Sequence, residues 1–193
     1  MFFIYNIQRA LRRKRVWALP KQRKKAAVYI TQAALIAALY AALTYAASVF
    51  GIAYGNVQFR FSEALTVLAV FTPAAIPGLT VGCFIGNLGS PFGIMDIILG
   101  TLATFLAAYF TYATRRVSSK FGYILAPVFS TVFNAVIIGL EIAVFLPEGL
   151  TWAGFSISAL QVGVGELAVC CVLGIPLRII LEKTPGLKKI FNI

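Results

Sequence analysis

The stretch "YGNVQFRFSEALTVLAVFTP", Tyr54–Pro73, places Gln58, Arg60 and Glu63 at the entry of an apolar run. An amide, a guanidinium and a carboxylate within six residues can donate and accept charge-assisted hydrogen bonds, the chemistry of holding a polar solute. The chain has only three other carboxylates inside apolar runs: Asp96, Glu141 and Glu166. Glu148 and Glu182 fall outside them. There is no histidine, so no serine or cysteine has an imidazole base, and no GxxxxGK[ST] loop is present to cradle a nucleotide. Cys83, Cys170 and Cys171 lack metal-ligand spacing and lie in apolar runs, where cysteine serves as a packing residue. The sequence therefore implies no metal and no cofactor.

The elements that must position these groups are membrane helices. The 193 residues are 60% hydrophobic and 12% charged, against about 25% charged in soluble domains. Runs such as "AAVYITQAALIAALYAALTYAASVF" exceed the roughly 20 residues that cross a bilayer core. Apolar stretches cover 26–50, 62–88, 93–114, 123–146 and 158–181. Pro73, Pro77 and Gly78 interrupt the second, and proline breaks the helical ladder, so it divides into two short helices. Six transmembrane helices then put both termini in the cytoplasm. Every basic residue except Arg60 falls on that side: the cluster in residues 1–25, Arg115, Arg116 and Lys120, and Arg178, Lys183, Lys188 and Lys189. That is the pattern of the positive-inside rule. It explains the net charge of +11 without nucleic acid. Residues 1–25 form a basic cytoplasmic tail, amphipathic or disordered. Residues 26–182 form the membrane domain, and 183–193 a basic cytoplasmic tail.

On this topology Glu63, Asn87, Asp96, Glu141 and Glu166 all gather in the outer half of the membrane. Buried charges at that depth face a cavity or a partner. Asn134 and Glu141 are two helical turns apart on one face, with Gln161 and Glu166 on the next helix. A polar cavity open to the outside follows, with Tyr45, Tyr54, Phe59, Phe61 and Trp152 as candidate walls. Structural roles compete at each position. Arg60 either meets a ligand or pairs with Glu63 at i, i+3. Asp96 either meets a ligand or caps its helix. Asn134 and Gln161 serve either a ligand or interhelical hydrogen bonds, and Glu141 either lines the cavity or reaches the outer interface. The stripe Ala34, Ala38, Ala42 and Ala46 permits close helix approach, within the chain or with a partner. Three functions accommodate embedded carboxylates: a solute-binding transport subunit, a small ion-coupled carrier or channel, and a membrane enzyme. No nucleophile–base arrangement supports the enzyme. Carboxylates gathered on one side do not suit a proton-coupled carrier.

"YGNVQFRFSEALTVL", "TPAAIPGLTVGCFIGNLGSPFGIMDIILGTLATFLAAY", "VFNAVIIG" and "VGVGELAVCCVLGIPL" resemble the QueT family of queuosine-precursor transporters over about residues 26–182. The resemblance implies the substrate-binding (S) component of an energy-coupling factor (ECF) transporter in a bacterial cytoplasmic membrane, a six-helix bundle with no enzymatic activity of its own. Its partners would be a membrane coupling protein, packed on Ala34, Ala38 and Ala42, and two cytoplasmic ATPases. Its solute would be a 7-deazaguanine (7-cyano- or 7-aminomethyl-7-deazaguanine) or queuine. The "QxRxSEAL" pattern gives Gln58, Arg60 and Glu63 a ligand-site role. Asn87, Asp96, Asn134, Glu141, Gln161 and Glu166 complete the expected site. An S component for another small heterocycle is the alternative within the same fold.

Overall fold

A computed structural model of the chain describes residues 21–55, 57–117 and 119–186. The chain divides into two units, Met1–Thr31 and Gln32–Ile193. The described part of the first, residues 21–31, is helical and exposed from Gln22 onward. The expected N-terminal tail lies mostly outside the described residues, as does most of the C-terminal tail.

The helices are α1 (Lys21–Val49), a 3₁₀ helix (Phe61–Val70), α2 (Ala75–Asn87), α3 (Ile94–Ala113), α4 (Ser119–Val144) and a final rod. That rod comprises α5 (Trp152–Val169), a π-helical turn (Cys170–Gly174) and α6 (Ile175–Lys183). The described residues thus form the expected all-helical chain of six segments. Four of these are long and apolar enough to cross a membrane. The other two, of 10 and 13 residues, fall short of the roughly 20 that a spanning α-helix needs. Of the six expected helices, four are thus long enough to span, and the two expected to be short form the apolar pair. Pro73 sits in the break between the pair, where a missing N–H costs the helix least.

The 3₁₀ helix is the axis of Gln32–Ile193. Every residue from Ser62 to Ala69 is buried, the polar Ser62, Glu63 and Thr66 included, so no side of the helix is left to solvent. Leu65, Leu68 and Ala69 join Ile36, Tyr40, Leu79, Cys83, Ala108 and Leu181 in the main core. A smaller cluster of Ile138, Ile142 and Val162 joins α4 to α5. Ile98, Leu102, Phe105, Val132, Val136, Leu160 and Val164 point outward, as helix faces in contact with hydrocarbon must.

Gly78, Gly82 and Gly86, spaced by four, lay one bare edge of α2 against α1. A Cβ on Gly82 would stand 2.7 Å from Cβ of Tyr40 and 2.8 Å from the carbonyl oxygen of Ala37. The small-residue pattern thus works inside the chain, on α2. The buried alanines of α1 are Ala37, Ala41 and Ala47, while Ala34, Ala38, Ala42 and Ala46 stay exposed.

At the other end, Arg178 Nε donates to Glu182 Oε1 at 2.8 Å and stacks on the Tyr123 ring at 4.2 Å. The Tyr123 hydroxyl donates to Glu182. This ties α4 to α6, beside a void of about 10 Å³ lined by Pro127, Cys170, Gly174 and Arg178.

Gly82→Ala is expected to lower the unfolding temperature of the purified chain. Alanine gains about 1 kcal/mol of helix propensity. Overpacking against the Ala37 backbone costs about 1–3 kcal/mol and cannot relax by a rotamer change. A melt that rises would show that α1 and α2 are not in backbone contact.

Candidate ligand-binding site

The polar residues of the sequence converge where the loop after α1 enters the 3₁₀ helix. The loop folds back on itself: Gly51 has φ of +70°, and Phe59 N donates to Ile52 O at 2.9 Å. Arg60, 1% exposed, closes it by donating from Nε to Ala53 O at 3.1 Å. Arg60 Nη2 meets Asp96 Oδ2 at 3.1 Å and Oδ1 at 3.2 Å. The partner of Arg60 is therefore Asp96, on α3, and not Glu63. The i, i+3 alternative fails because the pairing runs between elements. No side chain caps α3, so Asp96 in its first turn serves as counter-ion to Arg60 and complements the helix dipole. Tyr54 lies 5.3 Å from the Arg60 guanidinium and donates from its hydroxyl to Gly86 O at 2.6 Å. Burial pushes the Tyr54 phenol up to about 12 despite the opposing pull of Arg60, so it stays a neutral donor.

Glu63 is fully buried and receives three hydroxyls from three helices. The Tyr40 hydroxyl (α1) donates to Oε1. Thr104 (α3) donates to the same oxygen at 3.2 Å, and Ser130 (α4) to Oε2 at 3.1 Å. Sequence reasoning missed all three donors. Each is one of several hydroxyls in an apolar helix, and nothing in the linear pattern says which of them serves the acid.

The remaining groups are incompletely satisfied. Asn87 donates from Nδ2 to Asp96 O at 2.8 Å, while its Oδ1 is buried without a partner among the described residues. Gln58 Nε2, Glu166 Oε2 and both carboxylate oxygens of Glu141 are likewise buried and unpartnered among them. Gln58 is held in place because its backbone presses on Gly165, one residue before Glu166, where any side chain would collide. Glu166 interacts electrostatically with Glu63 and Arg60, and Glu141 with Asp96 and Arg60. Glu141 is 2% exposed and does not reach an interface. Asn134 donates to Ser130 O of its own helix at 3.1 Å. Gln161 stands apart: it is half-buried and lines a cavity of about 420 Å³ with Glu148 and Ser158. Trp152, 86% exposed, walls nothing in the buried cluster. Among the described residues, no group of three or more potential ligands forms a metal site.

Comparison with known proteins places the chain in a family. The sequence profile of the family described as QueT transporter matches residues 30–183. The chain belongs to that family. This QueT-family chain is also 43% identical over 82 residues to the "Queuosine precursor transporter QueT" of Lactococcus lactis subsp. cremoris (strain MG1363). That alignment covers 42% of the chain and 48% of the relative, so the chain matches about half of the relative's length. No solved structure matches it.

Asp96→Asn is expected to destabilise the chain by about 3–5 kcal/mol, because it strands the Arg60 charge in the interior. The double variant Arg60→Met/Asp96→Leu should recover most of that loss, since a buried ion pair exchanged for apolar groups is often neutral. Thermal unfolding of the single and double variants reads the coupling. Additive losses would mean that the two side chains do not interact.

Proposed function

We propose that this chain is the membrane subunit that binds a queuosine precursor of the 7-deazaguanine type for uptake across a bacterial cytoplasmic membrane. The observation that carries this reading is the set of buried, unmatched polar atoms around Gln58, Asn87 and Glu166. Leaving such groups unpaired costs about 1–3 kcal/mol each, a cost that a ligand of complementary pattern removes. A guanine-type edge offers adjacent N–H donors for the Glu166 carboxylate. Its carbonyl oxygen accepts from Gln58 Nε2, and Asn87 Oδ1 takes a further donor. Glu63, with three hydroxyls already on it, positions α1, α3 and α4 around the ligand, and the Arg60–Asp96 pair closes the loop above it. Asn134 belongs to this supporting group.

Energy for uptake is assigned to ATPases in separate subunits, joined through a coupling protein. The exposed methyl stripe Ala34, Ala38 and Ala42 supports such a contact, because it lies on α1 opposite the face that α2 occupies. With the basic loops inside, the Arg60 end faces outward and both termini face the cytoplasm.

Two experiments test this. In calorimetric titrations of the purified chain, Glu166→Gln should weaken binding of 7-deazaguanines on the order of 30-fold, about 2 kcal/mol. Adenine, with an acceptor where guanine has a donor, should compete poorly. Parental affinity in the variant, or adenine competing as well as guanine, would remove Glu166 from the ring edge. In cells, concentrative uptake should require a coupling protein and ATPases and fall when Ala38 is replaced by Leu. On a cysteine-free background, single cysteines at Ser90 and Gly149 should react with an impermeant maleimide and one at Val117 should not. Uptake by the chain alone would favour an ion-coupled carrier, and the opposite labelling pattern would invert the orientation.

A further inference from the structure

The buried polar end of the bundle holds four carboxylates, Glu63, Asp96, Glu141 and Glu166, and one guanidinium, Arg60. Arg60 is committed to Asp96 and to Ala53 O. Glu63 is occupied by Tyr40, Thr104 and Ser130. Glu166 is assigned above to the edge of a heterocycle. Glu141 is left over: it is 2% exposed, and neither carboxylate oxygen has a partner among the described residues. Its interactions with Asp96 and Arg60 place it in the cluster. The other buried cation, Arg178, belongs to the opposite end and is bonded to Glu182.

Two bare oxygens on one buried carboxylate ask for more than a neutral N–H. A carboxylate taken out of water is stable when a hydrogen-bonding cation meets it. An ammonium group carries three donors and no acceptor, and so fits two oxygens that have only acceptors. We infer that Glu141 is the subsite for a protonated amine carried by the transported solute, so that the chain separates solutes sharing one ring by the charge of their substituent. The inference rests on the 7-deazaguanine reading, and it adds a second recognition point to it. A ring bearing an aminomethyl group, as in 7-aminomethyl-7-deazaguanine, brings the cation. A ring bearing a nitrile, as in 7-cyano-7-deazaguanine, brings lone pairs against lone pairs and leaves Glu141 unmatched.

The test titrates the purified full-length chain, and its Glu141→Gln variant, with these two compounds at one salt concentration. The parent should prefer the amine to the nitrile. Glutamine keeps the shape of the side chain and removes its charge, so the ratio of the two affinities should fall on the order of 30-fold. An unchanged ratio overturns the inference. So does an equal loss toward both compounds, because a merely structural role for Glu141 weakens both alike. Failure of the parent to bind either compound overturns the 7-deazaguanine reading and, with it, the subsite. The subsite is thus separable from the solute class: binding of both compounds with one affinity keeps the class and removes the subsite.

Discussion

A carboxylate at the centre of an apolar bundle must collect its hydrogen bonds from whatever packs around it. Glu63 is fully buried on a helix whose neighbours are all buried too, so water cannot serve it. Its three hydroxyl donors come from α1, α3 and α4. The requirement therefore fixes the relative depth of four elements. Moving any one of those helices by the length of a hydrogen bond would leave an oxygen of Glu63 unmatched. The loop after α1, the Arg60–Asp96 pair and the position of Gln58 against Gly165 all follow from a frame set at that point.

The polar centre then sorts into two kinds of group. Glu63, Arg60 and Asp96 are satisfied from within the chain, and they behave as architecture. Gln58, Asn87, Glu141 and Glu166 keep buried atoms without partners among the described residues. The fold saturates three charged groups and leaves polar atoms bare in the same buried cluster. Low local dielectric makes a half-satisfied network expensive, and the imbalance of four acids to one base sharpens the effect.

Much of this was legible in the sequence. Length and hydropathy give the helices, Pro73 gives the break, and the scarcity of charge makes each embedded acid conspicuous. Two features were not legible. The pairing of Arg60 with Asp96 joins residues 36 apart, and local spacing favours the nearer Glu63. The face of α1 that packs inside was also hidden. Ala33, Ala37 and Ala41 run beside Ala34, Ala38 and Ala42, so alanine alone gives no asymmetry, and the glycines of α2 decide between them. Trp152 was drawn toward the site by residue type, and Gln161 by its place less than two turns from Glu166. The helix that carries both begins at Trp152, and its first turns lie clear of the buried cluster.

The winding of the central segment has a consequence for reach. A 3₁₀ helix rises about 2.0 Å per residue and an α-helix about 1.5 Å. Ten residues from Phe61 to Val70 thus extend about 20 Å where the α form would extend about 15 Å. The longer rod carries Arg60 to the level of Asp96 while Leu65 and Leu68 stay in the core cluster that includes Leu181. An α-helical version would need about three more residues to hold both ends in place. The chain accepts the poorer hydrogen-bond geometry of the tighter helix and obtains distance without length.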